Sequence, residues 1–365
     1  MSLALGIDTG GTYTDGIILK LESNQVITKA KALTTPEDLT KGIHNCLRNL
    51  NLKSYRAIKM VSLSTTLATN ATVEGRGSAA GLILIGHEPA GKLPVEHLAV
   101  IKGGHDIKGK PVTPLDLEEA RLAIESFRGK VGTMAISGYL SIRNPEHEIK
   151  VKELVQEMLA VPVVCAHQLT TSLGFHERTV TAALNAKLIP IITGLIESVK
   201  KVLKTYGVSA PLMIVKGDGS LMSEDLTREK PIETILSGPA ASLIGASSLT
   251  QETGALVLDM GGTTTDIAIL QEGVPRVNPE GAVVGGWLTR VQAAEINTFG
   301  LGGDSYIQIT PEREIEIGPQ RVWPLAVVAH DHSYLVQELE AQLASQGELL
   351  FHQAADCFLL LPGVV

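Results

Sequence analysis

Short apolar runs alternate with longer amphipathic stretches along this chain. Runs of this length are typical of buried strands, and the stretches between them repeat apolar residues at helical spacing. Alternation of the two patterns predicts an α/β fold built in layers. The predicted strands are Leu3–Ile7, Ala57–Leu63, Gly81–Ile85, Val131–Ile136, Val161–Cys165, Leu212–Val215 and Leu256–Leu258.

Two helical patterns begin behind a capping residue and a proline, a combination that favours a helix start. The predicted helices are 117–127 behind Thr113 and Pro114, 146–159 behind Asn144 and Pro145, and 175 to about 206. A proline inside a helix removes one hydrogen bond and clashes with the preceding turn. Pro190 should therefore kink or divide the longest of these helices.

Composition and charge narrow the class of protein. The 365 residues suffice for two or three globular units, and 44% of them are hydrophobic, which excludes a disordered chain. The net charge is −8 and no block of Lys and Arg occurs, which argues against a nucleic-acid partner. The cysteines Cys46, Cys165 and Cys357 are scattered and form no Cys-x-x-Cys pair, so no disulfide framework is predicted.

The N-terminal residues have no basic segment followed by an apolar one, so no signal peptide is predicted. The most apolar stretches contain charged residues such as Lys187 and Glu197, whereas a membrane helix needs about 18 uninterrupted apolar residues. We therefore expect a cytoplasmic protein without a membrane partner.

An internal repeat is the most informative feature of the sequence. Residues 8–15 read Asp-Thr-Gly-Gly-Thr-Tyr-Thr-Asp and residues 259–266 read Asp-Met-Gly-Gly-Thr-Thr-Thr-Asp, with six of eight positions identical. Each copy stands between two apolar strands. The repeat predicts two similar domains, each with a strand, a glycine turn and a second strand.

The residue types of this turn suit phosphate and a metal ion. Glycines let the backbone approach a ligand, and successive N–H groups with threonine hydroxyls form a concavity for phosphate oxygens. An aspartate beside that concavity would repel phosphate unless a cation lies between them, which implies Mg²⁺ or Mn²⁺. Two such turns across a cleft would hold a nucleotide from both sides. A pair of ordinary hairpins is the alternative, because Asp-Gly and Gly-Gly are common turn sequences.

The two turns resemble the phosphate motifs of the superfamily of actin, sugar kinases and heat-shock chaperone ATPases. The segment 237–241 (Ser-Gly-Pro-Ala-Ala) resembles the first connecting segment of that superfamily, and 300–305 (Gly-Leu-Gly-Gly-Asp-Ser) lies where the chaperones carry a glycine loop. The resemblance implies an actin-like ATPase fold: duplicated ribonuclease H-like domains with mixed sheets flanked by helices, and a nucleotide cleft between two lobes.

A more extensive resemblance, over most of residues 4–310, is to the hydantoinase A/5-oxoprolinase family. The segments that carry it are 6–15, 64–71 (Ser-Thr-Thr-Leu-Ala-Thr-Asn-Ala), 144–148 (Asn-Pro-Glu-His-Glu), 177–180 (Glu-Arg-Thr-Val), 185–186 (Asn-Ala), 236–240 (Leu-Ser-Gly-Pro-Ala) and 259–266. The resemblance implies an N-terminal hydantoinase/oxoprolinase lobe over residues 1–170 and a second, actin-like ATPase lobe over residues 171–365.

The family resemblance implies ATP-dependent hydrolysis of a cyclic amide, such as a hydantoin, an N-methylhydantoin or 5-oxoproline. ATP would phosphorylate the ring carbonyl oxygen so that water attacks the ring carbon more readily, and Mg²⁺ (or Mn²⁺) would offset the charge that develops. The chain would be the A-type subunit, with a separate or fused hydantoinase B-type subunit as its partner. A homo-oligomer is left open.

Roles for individual residues follow from the turn chemistry and the resemblance. The predicted catalytic residues are Asp8, Asp259 and Asp266, and the predicted metal ligands are Asp8 and Asp259. The residues predicted to hold the nucleotide phosphates are Gly10, Gly11, Thr12, Gly261, Gly262, Thr263, Thr264, Gly302 and Gly303.

A polar run directly after a predicted strand supplies candidate substrate residues, because ligand sites of α/β folds gather at strand ends. These are Thr65, Thr66 and Asn70. The alternative is a helix cap by Ser64 or Thr65.

Two other functions stay open. A small-molecule kinase would use the same pair of turns, with an aspartate as general base on a substrate hydroxyl. A non-catalytic nucleotide-binding subunit is favoured by two departures from the family pattern. Asp304 stands among the glycines of segment 300–305, and no adenosine-binding motif follows between Tyr306 and Val365, which predicts a shortened C-terminal part.

Several near-matches are interpreted as loops. Segments 86–93 and 104–111 have the glycine and lysine spacing of a P-loop, but Leu93 and Pro111 stand where it needs Ser or Thr. The run 330–332 (His-Asp-His) lacks a third metal ligand at suitable spacing.

Further polar residues have a structural interpretation beside a functional one. His87, His105 and Asp106 are interpreted as exposed loop residues, with a pocket role as the alternative. Glu177 and Arg178 are interpreted as an ion pair on a helix surface or between domains. For the segment 216–219 (Lys-Gly-Asp-Gly), a plain turn and a ligand contact both stay open.

Overall fold

The structure is a computed structural model, and it describes residues 2–344 apart from residues 36, 251, 263, 324–327, 330 and 331. Contacts divide the chain into two units. The first contains Met1–Gly245 and Pro275–Glu295, and the second contains Ala246–Val274 and Ile296–Val365. The predicted boundary at residue 170 falls inside the first unit, because the long helix after it packs on strands that precede it.

The secondary structure alternates as the hydrophobic pattern predicts. The strands are β1 (Leu3–Thr9), β2 (Tyr13–Lys20), β3 (Gln25–Leu33), β4 (Ile58–Thr65), β5 (Ala80–Ile85), β6 (His97–Ile101), β7 (Thr133–Gly138), β8 (Val163–Cys165), β9 (Leu212–Val215), β10 (Leu221–Ser223), β11 (Gly254–Met260), β12 (Thr265–Gln271), β13 (Val274–Pro275), β14 (Val283–Val284), β15 (Trp287–Leu288), β16 (Ile296–Phe299), β17 (Ser305–Ile309) and β18 (Ile315–Arg321). The helices are α1 (Leu39–Leu50), α2 (Leu67–Val73), α3 (Leu117–Phe127), α4 (Glu146–Leu159), α5 (Ala166–Leu169), α6 (Phe175–Thr205), α7 (Glu224–Glu229), α8 (Ser237–Leu249) and α9 (Ser333–Ala344), with short 3₁₀ helices at Tyr55–Ala57 and Pro231–Thr234.

A mixed six-stranded sheet in the order β10-β9-β4-β1-β2-β3 forms the centre of the first unit. Strands β1, β2 and β3 are antiparallel neighbours, and β4 runs parallel to both β1 and β9. Helix α1 covers β2 and β3 with residues at helical spacing, among them Ile43, Leu47 and Leu50. Parallel pairing of β1 with β4 places the carboxyl ends of these two strands side by side.

A second sheet of the first unit, in the order β6-β5-β7-β8, is entirely parallel. Every residue of β5 and β7 is buried, as expected for strands of a parallel sheet that is covered on both faces. Helices α3 and α4 pack on this sheet together with α6.

Helix α6 is continuous over 31 residues, so the division that was one of the two predicted effects of Pro190 is wrong. Pro190 is exposed, and its ring therefore lies on a side of the helix that does not pack in the core. By length and composition this helix could cross a membrane, yet 67% of its most apolar window is buried inside the protein. The same burial is typical of the core helix of a globular unit.

The helix starts differ from the prediction in detail. Pro145 is the N-cap residue of α4 rather than its first helical residue, and the Asn144 side chain before it accepts a hydrogen bond from the N–H of Glu146 at 3.0 Å. Helix α3 is capped by Asp116, which accepts from the N–H of Glu119 at 2.9 Å, and the cap predicted at Thr113 is wrong. An aspartate directly before the helix reaches the third N–H group more easily.

The second unit contains β11 and β12 in antiparallel register, and β12 also pairs with β13 and β16. Strands β17 and β18 form a separate hairpin. Cys46 and Cys165 of the first unit are free and buried, whereas Cys357 lies outside the described residues. The chain is thus mixed α/β with several sheets, as the hydrophobic pattern predicts.

Candidate functional site

The first glycine turn joins β1 to β2. The N–H of Gly10 donates to the carbonyl oxygen of Tyr13 at 2.9 Å and closes the hairpin. A Cβ atom on Gly10 would lie 3.0 Å from that oxygen, so the turn favours a residue without a side chain. Gly11 and Thr12 are exposed at the tip, where their N–H groups and a hydroxyl can meet a ligand.

The second glycine turn joins β11 to β12 in the same way. The N–H of Gly261 donates to the carbonyl oxygen of Thr264 at 2.8 Å, and the strands pair in the register of the first copy. Gly261 and Gly262 are exposed and Thr264 is half-buried. Thr263 lies outside the described residues. The repeated sequence therefore forms the same hairpin twice.

The carboxylate of Asp8 is positioned by the neighbouring strand. Ser64 on β4 lies beside Asp8, and its hydroxyl donates to Asp8 Oδ1 at 2.7 Å. A carboxylate offers about four acceptor positions, so Asp8 can bind a cation in addition to this hydroxyl. Asp15, which faces Asp8 across the hairpin, pairs with the Lys31 ammonium at 3.2 Å.

Thr34 holds the first turn in place by hydrogen bonds to its backbone. The sequence motif of the turn does not indicate this role of Thr34. Its N–H donates to the carbonyl of Thr12 and its hydroxyl donates to the carbonyl of Gly10, both at 2.9 Å. The hydroxyls of Thr34 and the buried Thr14 also bond each other at 2.9 Å. The residue stands directly after β3, so its position depends on how β3 pairs with β2.

The glycine loop 300–305 supports the second turn. The N–H of Gly303 donates to the carbonyl of Gly261 at 3.0 Å, and the N–H of Gly302 donates to the hydroxyl of Ser305 at 2.9 Å. Both amides that were predicted to face phosphate are therefore bound to acceptors inside the second unit. The loop therefore stabilises the turn by a hydrogen bond. A phosphate-binding role for Gly302 and Gly303 stays a prediction.

Asp304, the acid among the loop glycines, is paired within the second unit. Its carboxylate lies 2.8 Å from the Arg321 guanidinium, and its N–H donates to the carbonyl of Gly262 at 2.8 Å. Asp266 accepts a hydrogen bond from the Thr298 hydroxyl at 2.6 Å. The extra acid is thus balanced by a nearby cation and also holds the turn.

The acids of the two turns belong to different units. Asp8 lies in the first unit, and Asp259 and Asp266 lie in the second. Asp259 is exposed, and within the described part of the chain its carboxylate has no hydrogen bond or ion pair. A nucleotide held between the two turns stays a prediction.

Two of the three predicted substrate residues line a cavity of about 590 Å³ beside the first turn. Thr66 and Asn70 share its wall with Gly10 and Gly11. The Asn70 amide donates to the Thr66 hydroxyl at 3.3 Å, and a Cβ on Gly11 would lie 3.5 Å from the same amide nitrogen. The structure therefore brings the predicted turn and the predicted substrate residues together.

Thr65 has a structural role instead. It is 1% exposed, its hydroxyl donates to the carbonyl of Thr9 at 3.0 Å, and the same hydroxyl accepts from the N–H of Leu67 at 3.1 Å. These bonds fix the start of α2 against the end of β1. The N-cap residue of α2 is Thr66, so the alternative of a cap by Ser64 or Thr65 is wrong, although the Thr65 hydroxyl does accept from an N–H of the first turn. Thr65 is not among the wall residues of the cavity.

A second cavity, of about 670 Å³, is lined by residues of β1, β2 and β3. Its charged wall residues are Asp8, Asp15, Lys29 and Lys31. Asp8 thus lines this cavity, whereas Thr9 and the turn residues Gly10 and Gly11 line the other.

The segment 236–240 is bonded to the end of β4. The Ser237 hydroxyl donates to the carbonyl of Thr65 at 2.8 Å and accepts from the N–H of Thr65 at 3.3 Å. Leu236 before it has a positive φ of 59°, and its N–H donates to the Thr69 hydroxyl at 2.8 Å. A leucine in this conformation is strained, and such strain is often stored beside functional sites.

Two structural interpretations of polar residues are wrong because burial differs from expectation. Arg178 is 1% exposed, and burial lowers its pKa; Glu177 pairs with Arg290 at 3.6 Å instead. Successive helix residues point in different directions, so the two neighbours cannot share one face. His105 is 3% exposed and packs on the ring of His147, with the ring centroids 4.1 Å apart.

The other loop interpretations agree with the structure in part. Segments 86–93 and 104–111 lie in irregular structure, and His87 is exposed. Asp106 is half-buried rather than exposed, and it accepts from two N–H groups of its own loop. Residues 216–219 form a turn, closed by the N–H of Gly219 on the carbonyl of Lys216 at 3.0 Å. His330 and Asp331 of the predicted loop 330–332 lie outside the described residues.

Solved structures share this fold. The crystal structure of ATP-dependent caprolactamase from Pseudomonas jessenii superposes with a TM-score of 0.76 at 28% identity, covering 87% of this chain and 51% of that one. The nucleotide-free structure of acetone carboxylase gives a TM-score of 0.72 at 22% identity, with coverages of 87% and 51%, and shows the fold alone. The protein has the actin-like ATPase fold that its repeated turns predict.

Family models identify the chain more closely. The model described as Hydantoinase/oxoprolinase matches residues 178–323, and the model described as Hydantoinase/oxoprolinase N-terminal region matches residues 4–159. The chain belongs to the hydantoinase/oxoprolinase family, as its sequence segments predict.

Relatives within the family are named for different substrates. The chain is 29% identical over 351 residues to caprolactamase subunit alpha of Pseudomonas jessenii, covering 87% of this chain and 50% of the relative. It is 28% identical over 364 residues to the acetophenone carboxylase gamma subunit of Aromatoleum aromaticum, with coverages of 87% and 49%. The 5-oxoprolinase 1 of Arabidopsis thaliana is 28% identical over 241 residues, with coverages of 64% and 18%. The chain thus spans about half the length of the first two.

Proposed function

We propose that this chain is the ATP-dependent, A-type subunit of a cytoplasmic enzyme that hydrolyses a cyclic amide. The observation that carries the proposal is the pair of matching hairpins, Asp-Thr-Gly-Gly and Asp-Met-Gly-Gly, in a chain of the hydantoinase/oxoprolinase family. Relatives named caprolactamase and 5-oxoprolinase support the substrate class. Bound ATP would supply the phosphoryl group for the ring carbonyl oxygen, which releases ADP and makes the ring carbonyl carbon more open to attack by water.

The residues of the two turns have the donors and acceptors that this role needs. The exposed N–H groups of Gly11 and Gly262 and the hydroxyls of Thr12 and Thr264 would bind phosphate oxygens. Thr263 belongs to the same predicted set. In our proposal these groups orient the phosphates and leave the ring oxygen to approach from the cavity side.

The acidic residues fit a divalent cation. Mg²⁺ prefers carboxylate oxygen and retains bound water. Asp8, held by the Ser64 hydroxyl at 2.7 Å, and the exposed Asp259 offer such oxygens beside the glycine turns. Asp8 and Asp259 would hold Mg²⁺ or Mn²⁺, which offsets phosphate charge when bound. Asp266, fixed by the Thr298 hydroxyl, would orient the attacking water.

The cavity beside the first turn has groups that suit an amide ring. Its wall combines the polar pair Thr66 and Asn70 with apolar residues, among them Leu67, Ile191 and Leu195. It also contains the charged residues Glu37, Asp38, Glu74 and Arg76. An amide group presents one carbonyl acceptor and one N–H donor, and a carboxamide with a hydroxyl can bind both. The apolar residues would pack on the methylene groups of the ring.

Activation of a ketone is the second candidate. The 28% identity to an acetophenone carboxylase subunit favours it. A ketone and a cyclic amide both present a carbonyl oxygen that can receive a phosphoryl group. Binding of a ketone would not need the N–H acceptor that Asn70 offers, so substrate tests with Asn70→Leu separate the two.

The proposed partner is a hydantoinase B-type subunit. Caprolactamase alpha, acetophenone carboxylase gamma and acetone carboxylase beta are all named as subunits. Hydrolysis by this chain alone is therefore not required by the proposal. Nucleotide binding is required, since both turns are in this chain.

Calorimetric titration of MgATP into the purified chain tests the proposal. We expect a dissociation constant on the order of micromolar, weakened at least about tenfold by Asp8→Asn and by Asp259→Asn. Asp225→Asn, at an exposed position of α7, is the matched control and should bind like the unchanged chain. Absence of heat at millimolar MgATP, or equal loss in the control, contradicts it.

The substrate class is tested in a second step. With MgATP present, a hydantoin, 5-oxoproline, caprolactam and acetophenone are added in turn, with and without a co-expressed B-type subunit, and ADP is measured. Release of ADP that depends on a cyclic amide supports the proposal. Release with acetophenone alone supports the ketone candidate instead.

A further inference from the structure

A polar cavity of about 340 Å³ in the first unit lies apart from both glycine turns. Helix α5, the loop 170–172 and three basic residues, Lys216, Lys230 and Arg290, line it. None of its described wall residues belongs to either turn. The cavity therefore needs a separate explanation.

His167 on α5 lines this cavity and is oriented by Glu148. Glu148 is completely buried on α4, and its Oε2 accepts from both the backbone N–H of His167, at 3.1 Å, and the ring Nδ1. Its Oε1 accepts from the N–H of Gly138 at 2.6 Å. Because the buried carboxylate binds Nδ1, the proton of the neutral ring lies there, and Nε2 is left as an acceptor.

Glu148, His167 and Cys165 also lie close enough together to hold a metal ion, since their ligand atoms are within 4.8 Å of one another. The chemistry does not favour it. Burial raises the pKa of Cys165, and its thiol donates to the Glu148 carbonyl at 3.6 Å. Both carboxylate oxygens of Glu148 already accept hydrogen bonds. The cluster is therefore a network that orients the ring.

The charges on the cavity wall leave one cation available. Lys216 lies between Asp218 and Glu233, at 3.1 and 3.2 Å. Arg290 pairs with two glutamates, at 3.2 and 3.6 Å. Lys230 has no ion pair within 4 Å in the part of the chain that the structure describes, and it is half-buried. An anionic group in the cavity would therefore bind Lys230.

We propose that this cavity binds a small carboxylic acid that also carries an N–H or O–H group. The carboxylate binds Lys230, and the N–H or O–H group donates to Nε2 of His167. Hydroxyls of the loop residues Thr170, Thr171 and Ser172 on the wall supply further hydrogen bonds. Glu148 is the positioning residue: its carboxylate holds the ring proton on Nδ1, so that Nε2 of the neutral ring faces the ligand as an acceptor. The site does not depend on the proposed function of the glycine turns.

Nitrogen-15 spectra of the full chain with labelled histidine test the proposal, with glycolate, acetate and methanol as probes. The His167 signals are assigned by their loss in His167→Gln. Glycolate should shift the Nε2 signal in a saturable way, acetate should bind at least about threefold more weakly, and methanol should have no effect at the same concentration. These three probes separate the carboxylate from the hydroxyl contribution.

Variants distinguish a built site from unspecific binding. Lys230→Met should weaken glycolate binding at least about tenfold, whereas Lys201→Met, an exposed lysine of α6, should leave it unchanged. His167→Gln should remove the advantage of glycolate over acetate. Glu148→Gln should move the ring proton partly to Nε2, visible in the nitrogen-15 shifts, and weaken glycolate more than acetate.

Two results would overturn the proposal. One is an Nε2 signal that none of the probes moves at about 100 mM. The other is an equal loss of binding in Lys230→Met and Lys201→Met. A shift of Nδ1 on addition of Zn²⁺, with no response to glycolate, would show a metal site instead and would also refute it.

Discussion

The first glycine turn begins at a strand that is buried, whereas the second begins at a strand whose apolar residues are exposed. Leu5 of β1 is 0% exposed and its counterpart Leu256 of β11 is 61% exposed. Strand β1 lies between β2 and β4, while β11 pairs with β12 alone among the described strands. Two eight-residue segments with six identical positions thus form the same type of hairpin in two different environments.

The residues flanking the turns show what each environment requires. A Cβ on Gly6 would lie 2.9 Å from the Ile17 side chain, and the equivalent pair in the second copy, Val257 and Ala268, has the large and small residues exchanged. A Cβ on Gly16 would lie 2.7 Å from Cys46 of α1, but its counterpart is Ile267. The turn sequence is shared because the hairpin needs it, and the flanks differ because their neighbours differ.

The largest effect on this comparison should come from Gly16→Val. The added side chain would overlap Cys46 and Leu50, so we expect a loss of about 3 kcal/mol in the free energy of unfolding. The counterpart change, Ile267→Val, should cost about 1 kcal/mol. Urea unfolding with hydrogen exchange measures both, and exchange should rise in residues 13–50 only for Gly16→Val. Equal costs would mean that the two environments are equivalent.

A matched pair of threonines tests how each turn is braced. Thr14 is bonded to the Thr34 hydroxyl at 2.9 Å, and its counterpart Thr265 donates to the carbonyl of Leu301 at 2.6 Å. Replacing either by valine should cost about 1 kcal/mol, because each leaves a partner unsatisfied. Hydrogen exchange should increase around residues 10–14 in one variant and around residues 261–265 in the other. Increases at both turns in both variants would contradict separate bracing.

Acidification should weaken the first unit. Burial lowers the pKa of His105 and His147, while Glu146 beside both and Asp106 beside His105 act in the opposite direction. The unfolded chain therefore binds more protons below its ordinary histidine pKa of about 6.5, and the free energy of unfolding falls as pH drops through that value. His105→Gln should reduce this dependence in urea unfolding, and the exposed His87→Gln should not. A steeper dependence in His105→Gln would show the sign to be wrong.

The smallest effect should come from Lys31→Met. Lys31 and Asp15 pair at 3.2 Å, but their side chains are 58% and 43% exposed. Exposed pairs contribute little, so we expect a change below about 0.5 kcal/mol that shrinks further with added salt. Thermal unfolding at low and high salt measures it. A loss above 1 kcal/mol would mean that the pair supports the first turn after all.

The local sequence pattern predicts the helices and strands of this protein well, but it predicts poorly which of them pack against each other. Helix α3 matches its predicted bounds, since capping and apolar spacing both act over a few residues. The undivided course of α6 was not predictable from Pro190, because exposure of the proline depends on which face packs. The sequence could not show that the Thr65 hydroxyl binds the carbonyl of Thr9, because the two residues are 56 positions apart in the chain.

The sequence by itself determined the two hairpins, the alternation of strands and helices and the family, because these depend on neighbouring residues or on ordered segments. Only the tertiary structure decided that Ser64 holds Asp8, that Thr66 and Asn70 meet the first turn, and that Glu148 orients His167. These contacts join residues from separate elements. Strand order and burial bring them together, and neither can be read from local spacing.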